Sequence, residues 1–202
     1  MMQKRLIVVV AALCLCLGAR AQFHGISDYT RFVPVTMHMG LGLVGVPSKH
    51  ALVDRAIENT IAYSVSISTG YLLKYTVHRV RPDGSDDRSF PSGHSVFAFT
   101  GAELTRMDYG WGWGAGAYAV AAYTAAERVW LKKHWVTDVL AGAGIGILSA
   151  HVGGWLLEPV KNLFGIPTIE WDGLGSRKAE IAFAPAIDPF THSYAASIAV
   201  VF

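Results

Sequence analysis

The 202-residue sequence predicts an all-α fold, a helical bundle of about five core helices with a short C-terminal β-hairpin. Three observations predict it. Apolar blocks recur between turn-forming residues with the spacing of helices. The later blocks are rich in Ala and Gly, small residues that let helices approach closely. Alternation is found in the tail, where Ile181, Phe183, Pro185 and Ile187, then Tyr194, Ala196, Ile198, Val200 and Phe202, flank a turn at Asp188-Pro189-Phe190.

Residues 1–21 read as a cleaved export signal. Lys4 and Arg5 precede an apolar run from Leu6 to Leu17, and Ala19-Arg20-Ala21 places small residues as a signal peptidase needs them. Such a run rises only about 18 Å as a helix, against about 30 Å of hydrocarbon in a bilayer. Cys14 and Cys16 are the sequence's two cysteines and both lie in this run, so the mature chain is expected to have no disulfide, thiolate metal site or cysteine nucleophile.

A helical domain over 22–165 and a tail over 166–202 follow. Its first apolar block, Phe32 to Val46, is closed by Pro47, and Ser48 is the expected N-cap of a helix from Ala51 to Lys74. Arg81 to Asp87 is a turn-rich loop. Further helices are expected from just after Ser92 to about Thr105, from Trp111 to Arg128 and from Val136 to Leu157.

Composition excludes some functions and leaves one choice open. A net charge of +2 and the lack of a long Lys/Arg stripe exclude nucleic acid as a partner. Hydrophobic residues at 52% and charged residues at 16% suit a greasy soluble domain or a membrane-associated one. Trp111, Trp113, Trp130, Trp135 and Trp155 fall near expected helix ends, which suits a membrane interface or ordinary packing. If the five blocks cross a membrane, Lys74, His94, Arg128 and His134 all fall on one side, but several blocks are near 15 residues, shorter than the roughly 20 a bilayer needs.

Three segments concentrate reactive residue types. Lys74 precedes Arg81-Pro82 by seven residues, Pro91-Ser92-Gly93-His94 follows, and Arg128, His134 and Asp138 stand six and four residues apart. Taken singly, a Lys at a helix end is a solvated cap and a His among apolar residues is a core residue. Together they suit phosphate. Lys74, Arg81 and Arg128 supply three cations, two of them able to bind oxygens in pairs. Ser92 and the Gly93 N–H open a helix, where unpaired donors favour an anion, and Gly93 lacks the Cβ that would keep phosphate from the main chain.

The pattern K-x6-R-P, P-S-G-H, R-x5-H-x3-D resembles the three-part signature of the PAP2 (phosphatidic acid phosphatase type 2) superfamily, over about a third of the chain. That superfamily contains lipid phosphatases, bacterial class A acid phosphatases and vanadium haloperoxidases on an all-α fold. The resemblance implies that His134 attacks phosphorus to form a phosphohistidine and that Asp138, one turn on, accepts a hydrogen bond from its other ring nitrogen. His94 is then the general acid for the leaving oxygen and the base for the attacking water. This scheme needs no metal or other cofactor, and the sequence contains no HExxH.

The expected activity is hydrolysis of phosphate monoesters or diphosphates, of lipids by the resemblance, by a membrane-associated protein on the periplasmic side of a bacterial envelope. A soluble periplasmic acid phosphatase of broad specificity and a vanadium haloperoxidase are the alternatives that the same motif allows. Glu127 departs from the family's usual small residue and must turn away from phosphate or pair with Lys132 or Arg128. His78 lies one turn from Lys74, while His24, His38, His50, His151 and His192 show no partner pattern in the sequence.

Overall fold

Helices α1 (Ser27–Thr30), α2 (Val33–Leu43), α3 (Leu52–Thr76), α4 (Gly93–Trp130) and α5 (Val136–Phe164) are followed by strands β1 (Glu180–Asp188) and β2 (Ser193–Val201). The computed structural model describes residues 25–166, 180–188 and 193–201, so the expected export signal lies outside the described residues. The chain divides after residue 170 into two compact units. In the second, β1 and β2 pair antiparallel from Glu180 opposite Val201 to Asp188 opposite Ser193, the hairpin that alternation predicts.

The helical unit has five long arms because α4 is broken at Gly110, whose φ of 75° and ψ of −176° no helix accommodates. The break is a reversal. A straight helix would separate Glu103 and Tyr118 by about 22 Å, yet the Tyr118 hydroxyl donates to Glu103 Oε2 over 2.5 Å. Ala98 and Ala102 of the first arm pack with Ala117 and Ala121 of the second in one buried cluster. The two helices expected on either side of Gly110 are therefore the arms of one hairpin.

Two other boundaries differ from expectation. Ser48 does not cap α3; its hydroxyl donates to the His50 carbonyl at 2.8 Å, and the helix starts after an extended Ala51 without a side-chain cap. α5 continues past Leu157 and through Pro159 to Phe164. Lys161, fully buried, holds this last stretch by ion pairs to Asp54 of α3 at 3.0 Å and to Glu158 at 3.3 Å.

Close approach of α5 to α4 sets the geometry of one end of the bundle. A Cβ on Gly142 would lie 2.7 Å from the Ser92 carbonyl oxygen, and one on Gly146 would lie 2.6 Å from the Val96 carbonyl oxygen. Only glycine lets the backbones meet there. The start of α5 is thereby pressed against the start of α4, and the Ser92 N–H donates to the Asp138 carbonyl at 3.0 Å.

Candidate active site

Lys74, in the last turn of α3, Arg81 in the following loop, Gly93 and His94 at the start of α4, Arg128 near its end and His134 before α5 all line one cavity of about 460 Å³. These residues come from five places in the chain and share one end of the bundle. The rest of the lining is Arg31, Phe32, Ser66, Ile67, Gly70, Tyr71, Val96 and Phe97. Cationic and imidazole groups thus share the cavity with an apolar, aromatic wall.

His134 is 3% exposed and held by a main-chain acceptor. Its Nδ1 lies 2.7 Å from the Ser89 carbonyl oxygen, which can only accept, so Nδ1 carries the proton and Nε2 keeps its lone pair. Burial and the nearby Arg81 and Lys74 charges push the imidazole down to about 3, keeping it neutral near pH 7.

The expected His134–Asp138 hydrogen bond is not formed. Asp138 Oδ2 stands 3.9 Å from Nδ1, beyond hydrogen-bond range. Fully buried, this carboxylate accepts from Arg79 Nη1 at 2.7 Å, from the Trp135 N–H at 3.0 Å and from the Ser89 hydroxyl. Spacing of four residues suggests a direct contact, but His134 precedes α5 and is not one turn along the same helix as Asp138. Asp138 therefore reaches His134 through Ser89, whose hydroxyl it holds and whose carbonyl holds the ring.

His94 meets two residues that sequence reasoning missed, Asp28 and Arg31. Its Nε2 lies 2.7 Å from Asp28 Oδ1 and 3.5 Å from Arg31 Nη1. A carboxylate only accepts, so Nε2 carries a proton directed at Asp28. The same Asp28 oxygen is 3.8 Å from Arg128 Nη1. Burial and the Arg128 charge pull His94 down to about 4 even though Asp28 opposes them. Both residues lie in a short segment far from the motif, where nothing in their spacing marks them.

The cations differ in how firmly they are held. Lys74 Nζ donates to the Pro91 and Arg88 carbonyls at 2.8 and 3.0 Å, and burial followed by repulsion from Arg81 lowers it to about 8. Arg81 donates from Nε to Asp86 at 2.6 Å. Arg128 has a buried Nε without a hydrogen-bond partner among the described residues. Such donors are suited to an incoming anion.

Ser92 is buried behind the cavity wall rather than in it. It is the N-cap of α4, and its Oγ accepts from the Ser95 N–H at 3.5 Å and from the Ser95 hydroxyl at 3.2 Å. A Cβ on Gly93 would touch Lys74 Cε at an ordinary 3.9 Å, so protein packing does not require glycine there. Glu127 turns away from the cavity and accepts the N–H groups of Ile26, at 3.0 Å, and of Ser27. His78 pairs with Asp87 at 3.1 Å in an exposed position outside the cavity lining.

The family model of the PAP2 superfamily matches residues 57–158, which include every cavity residue from Ser66 to His134. The chain belongs to the PAP2 superfamily. It is 41% identical over 89 residues to the lipid A 1-phosphatase of Porphyromonas gingivalis, covering 42% of this chain but 20% of that relative, so the chain spans only about a fifth of that protein's length. It is 26% identical over 170 residues to the lipid A 4'-phosphatase of Helicobacter pylori, covering 79% of this chain and 82% of that one. It is also similar to the undecaprenyl-diphosphatase of Sulfolobus acidocaldarius, at 31% identity over 51% of this chain and 56% of that one. Among solved structures, Aquifex aeolicus LpxE superposes with a TM-score of 0.53 at 19% identity, over 72% of this chain and 94% of that one, and shows the same helical fold.

Proposed function

We propose that this PAP2 protein is a lipid phosphatase that transfers a phosphoryl group from a phosphorylated lipid to His134 and then to water. The observation that carries the proposal is the composition of the cavity. Lys74, Arg81 and Arg128 converge with His94 and His134 at its polar part, while Phe32, Ile67, Val96 and Phe97 form an apolar wall. A phosphate bearing a hydrocarbon tail matches both parts, and the lipid A and undecaprenyl diphosphate named for its relatives are molecules of that kind.

In this reading the phosphate oxygens bind the Lys74, Arg81 and Arg128 donors, with the Gly93 N–H at the start of α4 adding another. His134 Nε2 attacks phosphorus as the bond to the leaving oxygen breaks, and a second proton, carried on His94 Nδ1 while its Nε2–H stays on Asp28, passes to that oxygen. The Ser89 carbonyl stabilises the cationic ring that results, with Asp138 and Arg79 fixing Ser89 from behind. Water then attacks phosphorus while His94 takes its proton, the P–N bond breaks, and His134 leaves neutral with its Nδ1 proton in place. The bound phosphate's negative charge raises His94 from its low unliganded value, so it can hold the proton it donates.

Membrane association is part of the proposal. Among the described residues, α5 is the one helix long and apolar enough to cross a bilayer by length and composition. Its Leu148, Trp155, Leu163 and Phe164 are 65–79% exposed. A catalytic end facing the periplasm fits the export signal read in residues 1–21.

The test is phosphate release from lipid A phosphates, a polyprenyl diphosphate, phosphatidic acid and soluble monoesters in mixed micelles. At least one lipid should be turned over about tenfold or more faster, in kcat/KM, than p-nitrophenyl phosphate. Equal rates on lipid and soluble substrates, together with release from cells by osmotic shock without detergent, would instead establish a soluble acid phosphatase.

A further inference from the structure

At the other end of the bundle His38 of α2, His50 of the following loop, Glu58 of α3 and Asp108 of α4 meet. His38 Nε2 lies 2.6 Å from Asp108 Oδ2, and His50 Nδ1 lies 2.6 Å from Asp108 Oδ1 and 3.7 Å from Glu58 Oε2. One donor atom from each of His38, Glu58 and Asp108 falls within 4.8 Å of the other two. Asp108 is fourteen residues beyond His94, about 21 Å along a helix, so this cluster is separate from the phosphate cavity.

Glu58 is the unusual member. It is fully buried, and among the described residues neither of its carboxylate oxygens has a hydrogen-bond partner. The Arg55 guanidinium on the same helix turns elsewhere, to the His38 carbonyl at 2.8 Å and to the Tyr109 hydroxyl. A buried carboxylate without a hydrogen-bond donor, its nearest imidazole nitrogen 3.7 Å away, is costly for a fold to keep. It is aimed at two imidazoles and a second carboxylate, a donor set suited to a first-row divalent cation.

We propose that His38, His50, Glu58 and Asp108 bind one divalent cation of the Zn²⁺ kind, which ties α2, α3 and α4 together at the end away from the phosphate. Two carboxylates neutralise its charge, so the filled site is electrically balanced. Tetrahedral ligands bonded at about 2.0–2.1 Å stand about 3.3 Å apart. The two 2.6 Å contacts therefore open by under an ångström, and the wider separations close around the ion. Each imidazole presents a lone pair to the cation in place of its N–H, and the His50 side chain, 22% exposed, gives a path for entry.

One further orphan atom fits. His38 Nδ1 now faces the Asn59 side-chain amide at 2.7 Å, and Asn59 Oδ1 is buried without a hydrogen bond to any described residue. With the cation on Nε2 the ring proton moves to Nδ1. A half-turn of the Asn59 amide offers Oδ1 as its acceptor, giving up the amide's bond to the Arg55 carbonyl.

Full-length protein is stripped with a chelator, dialysed against ZnCl2, passed through a desalting column and assayed for zinc per chain by mass spectrometry. We expect about one equivalent in the wild type and in His134→Ala, which leaves the phosphate end unable to react but the cluster intact. Glu58→Gln and Asp108→Asn should each bind at least tenfold more weakly, and zinc should raise the thermal midpoint of the wild type but not of Glu58→Gln. A wild type that retains no more zinc than a Glu58→Gln/Asp108→Asn double variant overturns the proposal. Should the variants fail to fold, Co²⁺ added to stripped wild type decides by itself: intense tetrahedral d–d absorption supports the site, and the spectrum of hydrated Co²⁺ overturns it.

Discussion

The two ends of this bundle are both polar and share α3 and α4, but they solve opposite problems. At the phosphate end, cations outnumber anions around an open cavity, and Arg128 keeps a buried N–H without a partner among the described residues. At the other end, Asp108 is saturated by His38 and His50 in a closed cluster, and the orphan is a carboxylate, Glu58. The contrast teaches that burial of charge does not by itself mark a candidate active site, whereas surplus charge of one sign facing open space is what an anionic substrate needs.

The largest expected effect comes from removing the nucleophile. His134→Ala should lose at least about 10⁴-fold in kcat on every substrate, since in the proposed mechanism the covalent step is made by His134 alone. Acid quench of wild-type turnover should trap an acid-labile, base-stable phosphoprotein that this variant lacks. An undiminished label in His134→Ala would move the covalent step elsewhere.

The next effect is selective. His94→Ala should lose about 10²–10⁴-fold on an alkyl phosphate, whose alkoxide needs a proton, and much less on p-nitrophenyl phosphate, whose phenolate leaves unaided. Loss by equal factors on both in the phosphorylation step would make His94 a phosphate ligand instead of an acid.

At the opposite end, Asp108→Asn should change stability rather than chemistry. It leaves His38 and His50 sharing a neutral amide in place of a carboxylate, which costs about 2–4 kcal/mol. The thermal midpoint should fall by several degrees while the alkyl-to-aryl rate ratio stays within about twofold of wild type. A changed ratio would couple the two ends and break the comparison.

The smallest effect tests Asp28. Its carboxylate raises His94 against burial and the Arg128 charge, so Asp28→Asn should lower the His94 value further. The acid form of His94 is lost as pH rises through that value, so the alkaline limb of the kcat/KM profile on an alkyl phosphate should move to lower pH, by about one unit. A limb that stays in place or moves upward would show that Asp28 does not govern this proton.

Much of the phosphate end was legible because its residues sit at fixed short spacings where helices begin and end. Lys74, Arg81, Gly93, His94, Arg128 and His134 carry that signal, and all six line the cavity. Asp28, Arg31, Arg79 and Ser89 carried no such signal, because their partners are 45 to 100 residues away. The cluster opposite was illegible for the same reason: His38 and His50 find Asp108 at separations of 70 and 58 residues.

The sequence by itself determined the all-α class, the breaks between helices, the alternation of the tail and the reactive residues of the motif, because local periodicity and turn chemistry are written in neighbouring residues. Tertiary structure decided what no spacing contains. It folded α4 back on itself at Gly110, gave His134 to the Ser89 carbonyl instead of Asp138, and turned Glu127 toward the N–H groups of Ile26 and Ser27. Each of those outcomes depends on which backbones approach closely enough to exchange a hydrogen bond. That approach is set by packing across the bundle, above all where Gly142 and Gly146 let α5 meet α4.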